Sequence, residues 1–253
     1  MHVELTLNGA ARAFDVPDQA SLLELLRDGA GITSPKDGCS PQGQCGACLV
    51  LVDGHPKTSC AIPARNVVGK SVRTLEGVPE GERRVYGEAF ARTAGLQCGF
   101  CIPGIALRMK SVLDANANPT DEEIKRKLDP HLCRCTGYVK IVDAFHAAAR
   151  LRRGEPLLPP DVSGRVGTSL DRYEAEELTL GTRPYVADLV FPGMLHGAVT
   201  LSPHARARVK KVDTSRAAGH PGVMAIVTAR DVPGKRLFGL IVDDWPGFVA
   251  EGE

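Results

Sequence analysis

The chain has 253 residues, 43% hydrophobic and 24% charged, and its 31 Lys and Arg against 30 Asp and Glu leave a net charge of +1. That composition is normal for globular protein and leaves room for more than one domain. No long basic run is present to grip a phosphate backbone, and no apolar stretch approaches the about eighteen residues of a membrane span, so neither nucleic acid nor a bilayer is an expected partner.

The opening "MHVELTLNGAARAFDV" alternates like a strand, turns at Asn8-Gly9 and returns through "FDV". It lacks the charged start, apolar run and cleavage site of a secretory signal, so a cytoplasmic protein is expected, with export on a signal-bearing partner as the alternative. Ser21 and Glu24 form a capping box ahead of "LLELL", with Gly29 and Gly31 as the stop. A Gly- and Cys-rich loop at 38–48, the run "LVLV", the turn Asp53-Gly54 and Cys60 follow. These make a small sheet with one helix.

From about residue 83 the period becomes helical: "VYGEAFART" before Gly95, "PGIALRMKSVLDAN" opening on Pro103, a short "EEIKRKL" capped by Thr120 and Glu123, and "YVKIVDAFHAAARL" to about Leu151. Residues 152–163, "RRGEPLLPPDVS", hold three prolines and no period, and read as a connection. Beyond them "PYVADLV", "GMLHGAVTL", "ARVKKVD" and "VMAIVTA" carry strand patterns, so this segment is expected to be mixed with a strong β component.

Eight cysteines in a reducing compartment point to metal or redox use rather than four disulfides. The first set is Cys39, Cys45, Cys48 and Cys60. Its first gap of five residues is one longer than the plant-type [2Fe-2S] spacing. Gly38, Gly43 and Gly46 suit a backbone that wraps closely and aims N–H groups at sulfur. A zinc site or buried free thiols are the alternatives, although zinc sites usually show two short Cys-x2-Cys knuckles. The second set is Cys98 and Cys101 in "QCGFC" with Cys133 and Cys135 in "LCRC". Each pair falls at a helix end, where unpaired N–H groups and the dipole favour an anionic centre. A Cys-x-Cys pair can serve one centre only if the backbone turns sharply between the two residues. Zinc stays open here too.

The order "GQCGAC", a fourth cysteine, "GLQCGFCIPG", then "HLCRCTGY" resembles the iron-sulfur portion of the xanthine dehydrogenase and aldehyde oxidoreductase family of molybdenum hydroxylases. The resemblance covers about residues 1–150. It implies an α+β chain: a β-grasp, ferredoxin-like [2Fe-2S] domain over 1–80 and a four-helix-bundle [2Fe-2S] domain over 81–151. After the linker at 152–163, residues 164–253 resemble the first part of the family's α/β hammerhead domain. The same resemblance implies that Cys39, Cys45, Cys48 and Cys60 hold an outer cluster. Cys98, Cys101, Cys133 and Cys135 would hold an inner one, with Gln97 and Cys135 contacting molybdopterin.

No substrate chemistry is expected on the chain itself, since the molybdopterin motifs and the catalytic glutamate of the family are absent from it. A molybdenum-binding large subunit would complete a hetero-oligomer, and any FAD would sit on a separate subunit. A split gene is favoured over a fragment. The implied function is passage of electrons from molybdopterin through two [2Fe-2S] clusters to FAD or another acceptor, during hydroxylation of an aldehyde, purine or other N-heterocycle. A free-standing ferredoxin-like carrier and a zinc-stabilised adaptor are the rival functions. Arg134 and His131 could supply charge beside the inner centre, with a solvent-facing arginine and a loop histidine as the plain readings. Gly99 and Gly137 suit close backbone approach, His196 and His204 are expected to be structural, and Trp245 with Phe248 suggests an interface edge.

Overall fold

Alternation in the first fifteen residues becomes a hairpin of β1 (His2–Leu7) and β2 (Ala10–Asp15), with Val3 opposite Phe14 and Leu5 opposite Arg12. Asn8 and Gly9 take φ of 53° and 87°, the left-handed pair that a tight two-residue hairpin turn needs. The structure, a computed structural model, describes residues 1–168 and 170–253. It divides into two units, Met1–Phe191 and Pro192–Glu253.

In the first unit Ser21 Oγ accepts the Glu24 N–H at 3.2 Å while Glu24 Oε2 accepts the Ser21 N–H at 2.7 Å. This capping box starts α1 (Leu22–Glu24), which widens into a π-helical turn at Leu25–Gly29. Leu22, Leu25 and Leu26 are buried with Val3, Leu5 and Leu7 of β1. Three further strands complete a mixed sheet of order β2-β1-β5-β3-β4: β3 (Leu49–Val52), β4 (His55–Thr58) and β5 (Ser71–Arg73). Only the β1–β5 pairing is parallel. Neither β4 nor β5 was expected. β4 carries Pro56, which lacks a ladder donor and is tolerated because β4 lies at the sheet edge, and β5 is too short to show a period.

The run "LVLV" is buried at every position because β3 is covered on both faces. Val50 and Val52 join the core under α1, whereas Leu49 and Leu51 join the core of the helices that follow. Those helices are α2 (Glu80–Thr93), α3 (Ile102–Ala115), α4 (Asp121–Leu128) and α5 (Tyr138–Arg152). Pro103 sits in the first turn of α3, and Thr120 and Glu123 form the second capping box at α4. Phe90, Ile105, Met109, Ile141 and Phe145 are fully buried between them. The stop expected at Gly95 comes one residue sooner, at Ala94, which itself takes φ 52°.

After an exposed stretch the chain returns to this core. Ala175 and Leu178 of α6 (Ala175–Leu180) are buried in the helical core, and a 3-10 turn at Val186–Asp188 follows. The expected strand "PYVADLV" is therefore a turn, because Tyr185 and Asp188 find partners at Cys98, Lys36 and Arg27 rather than in a sheet.

The second unit also departs from expectation. It holds α7 (Ser215–Ala218) and a two-residue ladder between β6 (Leu237–Phe238) and β7 (Trp245–Pro246). No residue of this unit is buried. The strand patterns at "GMLHGAVTL", "ARVKKVD" and "VMAIVTA" form no ladder, since alternation specifies which face is apolar and not what will cover it. His196 and His204 are exposed, as are Trp245 and Phe248.

Phe145 is fully buried on α5. Phe145→Ala should cost about 3–5 kcal/mol, read as a lower urea midpoint by far-ultraviolet circular dichroism, against about 1 kcal/mol for the cap variant Thr120→Ala.

Candidate metal centres

All eight cysteines are free, and they gather into two sets. The first lies at the base of the sheet, where the glycine-rich loop runs from Gly38 into β3 and β4 delivers Cys60. Cys39 and Cys45 thiols are within hydrogen-bonding reach of each other, as are Cys48 and Cys60. Cys48 and Cys60 are buried with Leu23 of α1, and Cys39 packs beside them from a more exposed position.

Burial pushes the Cys39 thiol up, but N–H groups of Cys45, Gln44 and Gln42 outweigh it and hold the thiol at about 6. The Gln42 N–H reaches Cys39 Sγ at 3.3 Å. Burial raises Cys45, and burial with the neighbouring Cys48 drives Cys60 up to about 12. The loop thus presents one ready thiolate at Cys39, while Cys45 and Cys60 are held toward the thiol until a cation draws off their protons.

The second set lies where α3 and α5 begin. Cys101 occupies the cap position of α3, and Cys135 stands two residues before Gly137, the cap of α5. Cys98 contacts Cys135 and Cys101 contacts Cys133. A cavity of ≈ 40 Å³ is lined by all four, with Gln97 and Gly99 on its wall. The turn expected between Cys133 and Cys135 is present. The Thr136 N–H donates to Cys133 O at 3.0 Å, and Thr136 takes φ 58°, uncommon for a β-branched residue. Tyr138 secures the same loop, accepting the Cys133 N–H at 2.8 Å and donating to His131 O at 3.0 Å.

Burial raises Cys98 and Cys101, whereas the Cys98 N–H and thiol lower Cys135. Gln97 and Cys98 are exposed, and Gln97 Nε2 donates to Cys135 O at 3.2 Å. Leu132, next to Cys133, and Val139, next to Tyr138, are exposed.

Each set therefore brings four thiols together, Cys135 reaching Cys133 as well as Cys98. Among the described residues no group of three or more Cys, His, Asp or Glu is arranged to hold a single metal ion. Four thiols with N–H donors beside them are the ligand set a [2Fe-2S] centre takes, two thiolates per metal.

The two sets also touch each other. The Leu132 N–H, next to Cys133, donates to Cys45 O at 2.9 Å. Gly104 in the first turn of α3 faces the outer loop so closely that a Cβ there would lie 2.6 Å from Gly46 O. His131 is 2% exposed against the same loop. Burial, then Arg108, pushes its imidazole down to about 3, so it is neutral and supplies no charge. Its Nε2 accepts from Arg108 Nε at 3.2 Å. Arg134 is exposed, as its plain reading had it.

Sequence reasoning missed Lys36 and its partners. The Lys36 side chain is 1% exposed and pairs with Asp188 at 2.6 Å, which also takes Arg27 at 2.8 Å. Burial pushes Lys36 below its ordinary value, and removing Asp188 would strand its charge at a cost of about 3–5 kcal/mol. A lone Lys in "SPKDG" carries no pattern that announces a partner 152 residues away.

Three family models match successive stretches of the chain. Residues 5–70 match a 2Fe-2S iron-sulfur cluster binding domain, 74–146 a [2Fe-2S] binding domain, and 180–249 the a/b hammerhead domain of aldehyde oxidase and xanthine dehydrogenase. The chain is 45% identical over 149 residues to the nicotinate dehydrogenase small FeS subunit of Eubacterium barkeri, covering 58% of this chain and 92% of that one. It is 38% identical over 253 residues to the aldehyde oxidoreductase of Megalodesulfovibrio gigas, covering 94% of this chain and 28% of that protein. The crystal structure of the aldehyde oxidoreductase from Desulfovibrio desulfuricans ATCC 27774 superposes with a TM-score of 0.84 at 33% identity, over 99% of this chain and 29% of that one. The chain carries two [2Fe-2S] binding domains and belongs to the xanthine dehydrogenase and aldehyde oxidoreductase family of molybdenum hydroxylases. It spans less than a third of the aldehyde oxidoreductases it matches.

Gly46 has φ +69°, and a Cβ on it would fall 2.5 Å from Pro130 O. Gly46→Ala should therefore lower the thermal midpoint, with about 1–3 kcal/mol from backbone strain alone. Gly81→Ala, on an open face of α2, should leave it level or raise it.

Proposed function

We propose that this chain is the electron-transfer part of a molybdenum hydroxylase. Cys39, Cys45, Cys48 and Cys60 would hold an outer [2Fe-2S] cluster, and Cys98, Cys101, Cys133 and Cys135 an inner one. The observation that carries the reading is the gathering of eight thiols into two sets of four, joined by the hydrogen bond from Leu132 to Cys45 O. A [2Fe-2S] centre takes up and releases one electron at a time.

The residues of the chain do the rest. Buried Cys48, Cys60, Cys101 and Cys133 keep one side of each centre dry, and N–H groups around Cys39 and Cys135 stabilise thiolate on the wetter side. Gln97 and Cys135, at the exposed rim, would face molybdopterin, held mainly by a molybdenum-binding partner or by the remainder of a longer chain. Exposed Leu132 and Val139 offer that partner an apolar footing.

Electrons from hydroxylation of an aldehyde, purine or other N-heterocycle would enter at this rim. They would leave from the Cys39 side for FAD on a separate subunit or for another acceptor. The reading includes the domain division 1–80, 81–151, linker 152–163 and 164–253, with a β-grasp and a four-helix bundle as the first two. The matched ranges and the exposed stretch after α5 support it. No described helix is long and apolar enough to cross a membrane, and a cytoplasmic place in a hetero-oligomer is part of the proposal.

Purified chain should be coloured, contain about four iron per polypeptide, and give two distinct [2Fe-2S] paramagnetic resonance signals after reduction. Cys133→Ser should erase the inner signal and leave the outer. A colourless, zinc-containing protein would sink the reading.

A further inference from the structure

Residues 175–188 come after both cysteine sets in the chain, yet they contact the loops of both. Asp188, with a side chain 2% exposed, accepts from Lys36 Nζ and Arg27 Nη2. The Lys36 N–H in turn donates to Ala47 O at 3.0 Å, between Cys45 and Cys48. Three residues before Asp188, Tyr185 lies under the Lys36 ammonium, 5.0 Å from its ring centroid, and meets Phe100 edge-on at 5.3 Å. Phe100 stands between Cys98 and Cys101, and its ring is 3.3 Å from where a Cβ on Gly38 would be, one residue from Cys39.

The Tyr185 hydroxyl donates to Cys98 O at 2.6 Å. Asp188 Oδ2 accepts the Tyr185 N–H at 2.9 Å and so sets where that hydroxyl points. Room for this comes from Gly99, at φ +86°, where a Cβ would fall 2.9 Å from Leu178 and 3.0 Å from the Tyr185 oxygen. Packing alone would be served by phenylalanine. The hydroxyl is spent on the backbone of a cysteine.

We propose that Tyr185 is a positioning residue for the inner cysteine set, and that residues 175–188 are a strap fixing that set to the outer loop through Asp188 and Lys36. The proposal rests on the ligand assignment above. An O–H donated to a ligand cysteine's carbonyl holds that cysteine's backbone in place and partly neutralises the negative end of the carbonyl beside an anionic centre, which favours its reduced form. Tyr185 thereby raises the inner centre's midpoint potential and leaves the outer one alone.

The test uses Tyr185→Phe in the full chain, with iron analysis, paramagnetic resonance and a redox titration that follows each signal, the inner one identified by its loss in Cys133→Ser. Iron should stay at the unsubstituted level. The inner signal should change its g-values and its midpoint should shift downward, with the outer signal unmoved. Asp188→Ala, which removes the acceptor of the Tyr185 N–H, should move the inner midpoint in the same direction. If both signals and both midpoints in Tyr185→Phe match the unsubstituted chain and only thermal stability falls, Tyr185 is packing and the proposal is wrong. Iron missing from the unsubstituted chain overturns the ligand assignment and this proposal together, so the two failures read differently.

Discussion

Burial of β3 on both faces is the constraint on which the two centres depend. The strand begins at Leu49, one residue after Cys48. Its even and odd side chains enter different cores, one beneath α1 and the other against the helices. A strand committed to two cores cannot slip by one residue without exchanging every side chain between them. The loop carrying Cys45 and Cys48 is therefore held in register with α3, whose first turn follows Cys101. The close approach of Gly104 to Gly46 O and the bond from Leu132 to Cys45 O both depend on this register.

Within each centre the thiols divide in the same way. Cys39 and Cys135 are partly exposed, surrounded by N–H donors, and shifted toward thiolate, while Cys45 and Cys98 are shifted the other way by burial. Each thiolate-leaning sulfur is paired with a reluctant one. The neutral His131 between the loops adds no charge to this balance, so the backbone and the depth of burial, rather than ionic side chains, set the character of both centres.

Local chemistry was legible in the sequence. Both capping boxes, the Asn8-Gly9 turn, the helix starts at Pro103 and Tyr138 and the grouping of the cysteines follow from spacings of a few residues, where the physics is local. Which cysteine meets which was not legible, since Cys98 pairs with Cys135 and not with Cys101, its neighbour in the motif. That pairing depends on how the loops at the starts of α3 and α5 are brought together, across more than thirty residues of sequence. β5 escaped notice because three residues make no period, and the Lys36–Asp188 pair because one charge resembles any other until burial selects it. The strand patterns after residue 190 misled for the opposite reason: alternation marks which side chains could share a face, and the second unit provides nothing to lay that face against.

That second unit bears on how the polypeptide must be made and handled. Leu195, Val199, Leu201, Leu240, Ile241 and Trp245 are each 66% exposed or more, on backbone with hardly any ladder bonds of its own. Segments of this kind, apolar and with unpaired peptide groups, add readily to any open sheet edge, including that of another copy. Uncovered, the tract is a nucleus for aggregation. Whatever covers these side chains, another segment or another molecule, decides whether the chain stays dispersed at the concentrations at which it is made and stored.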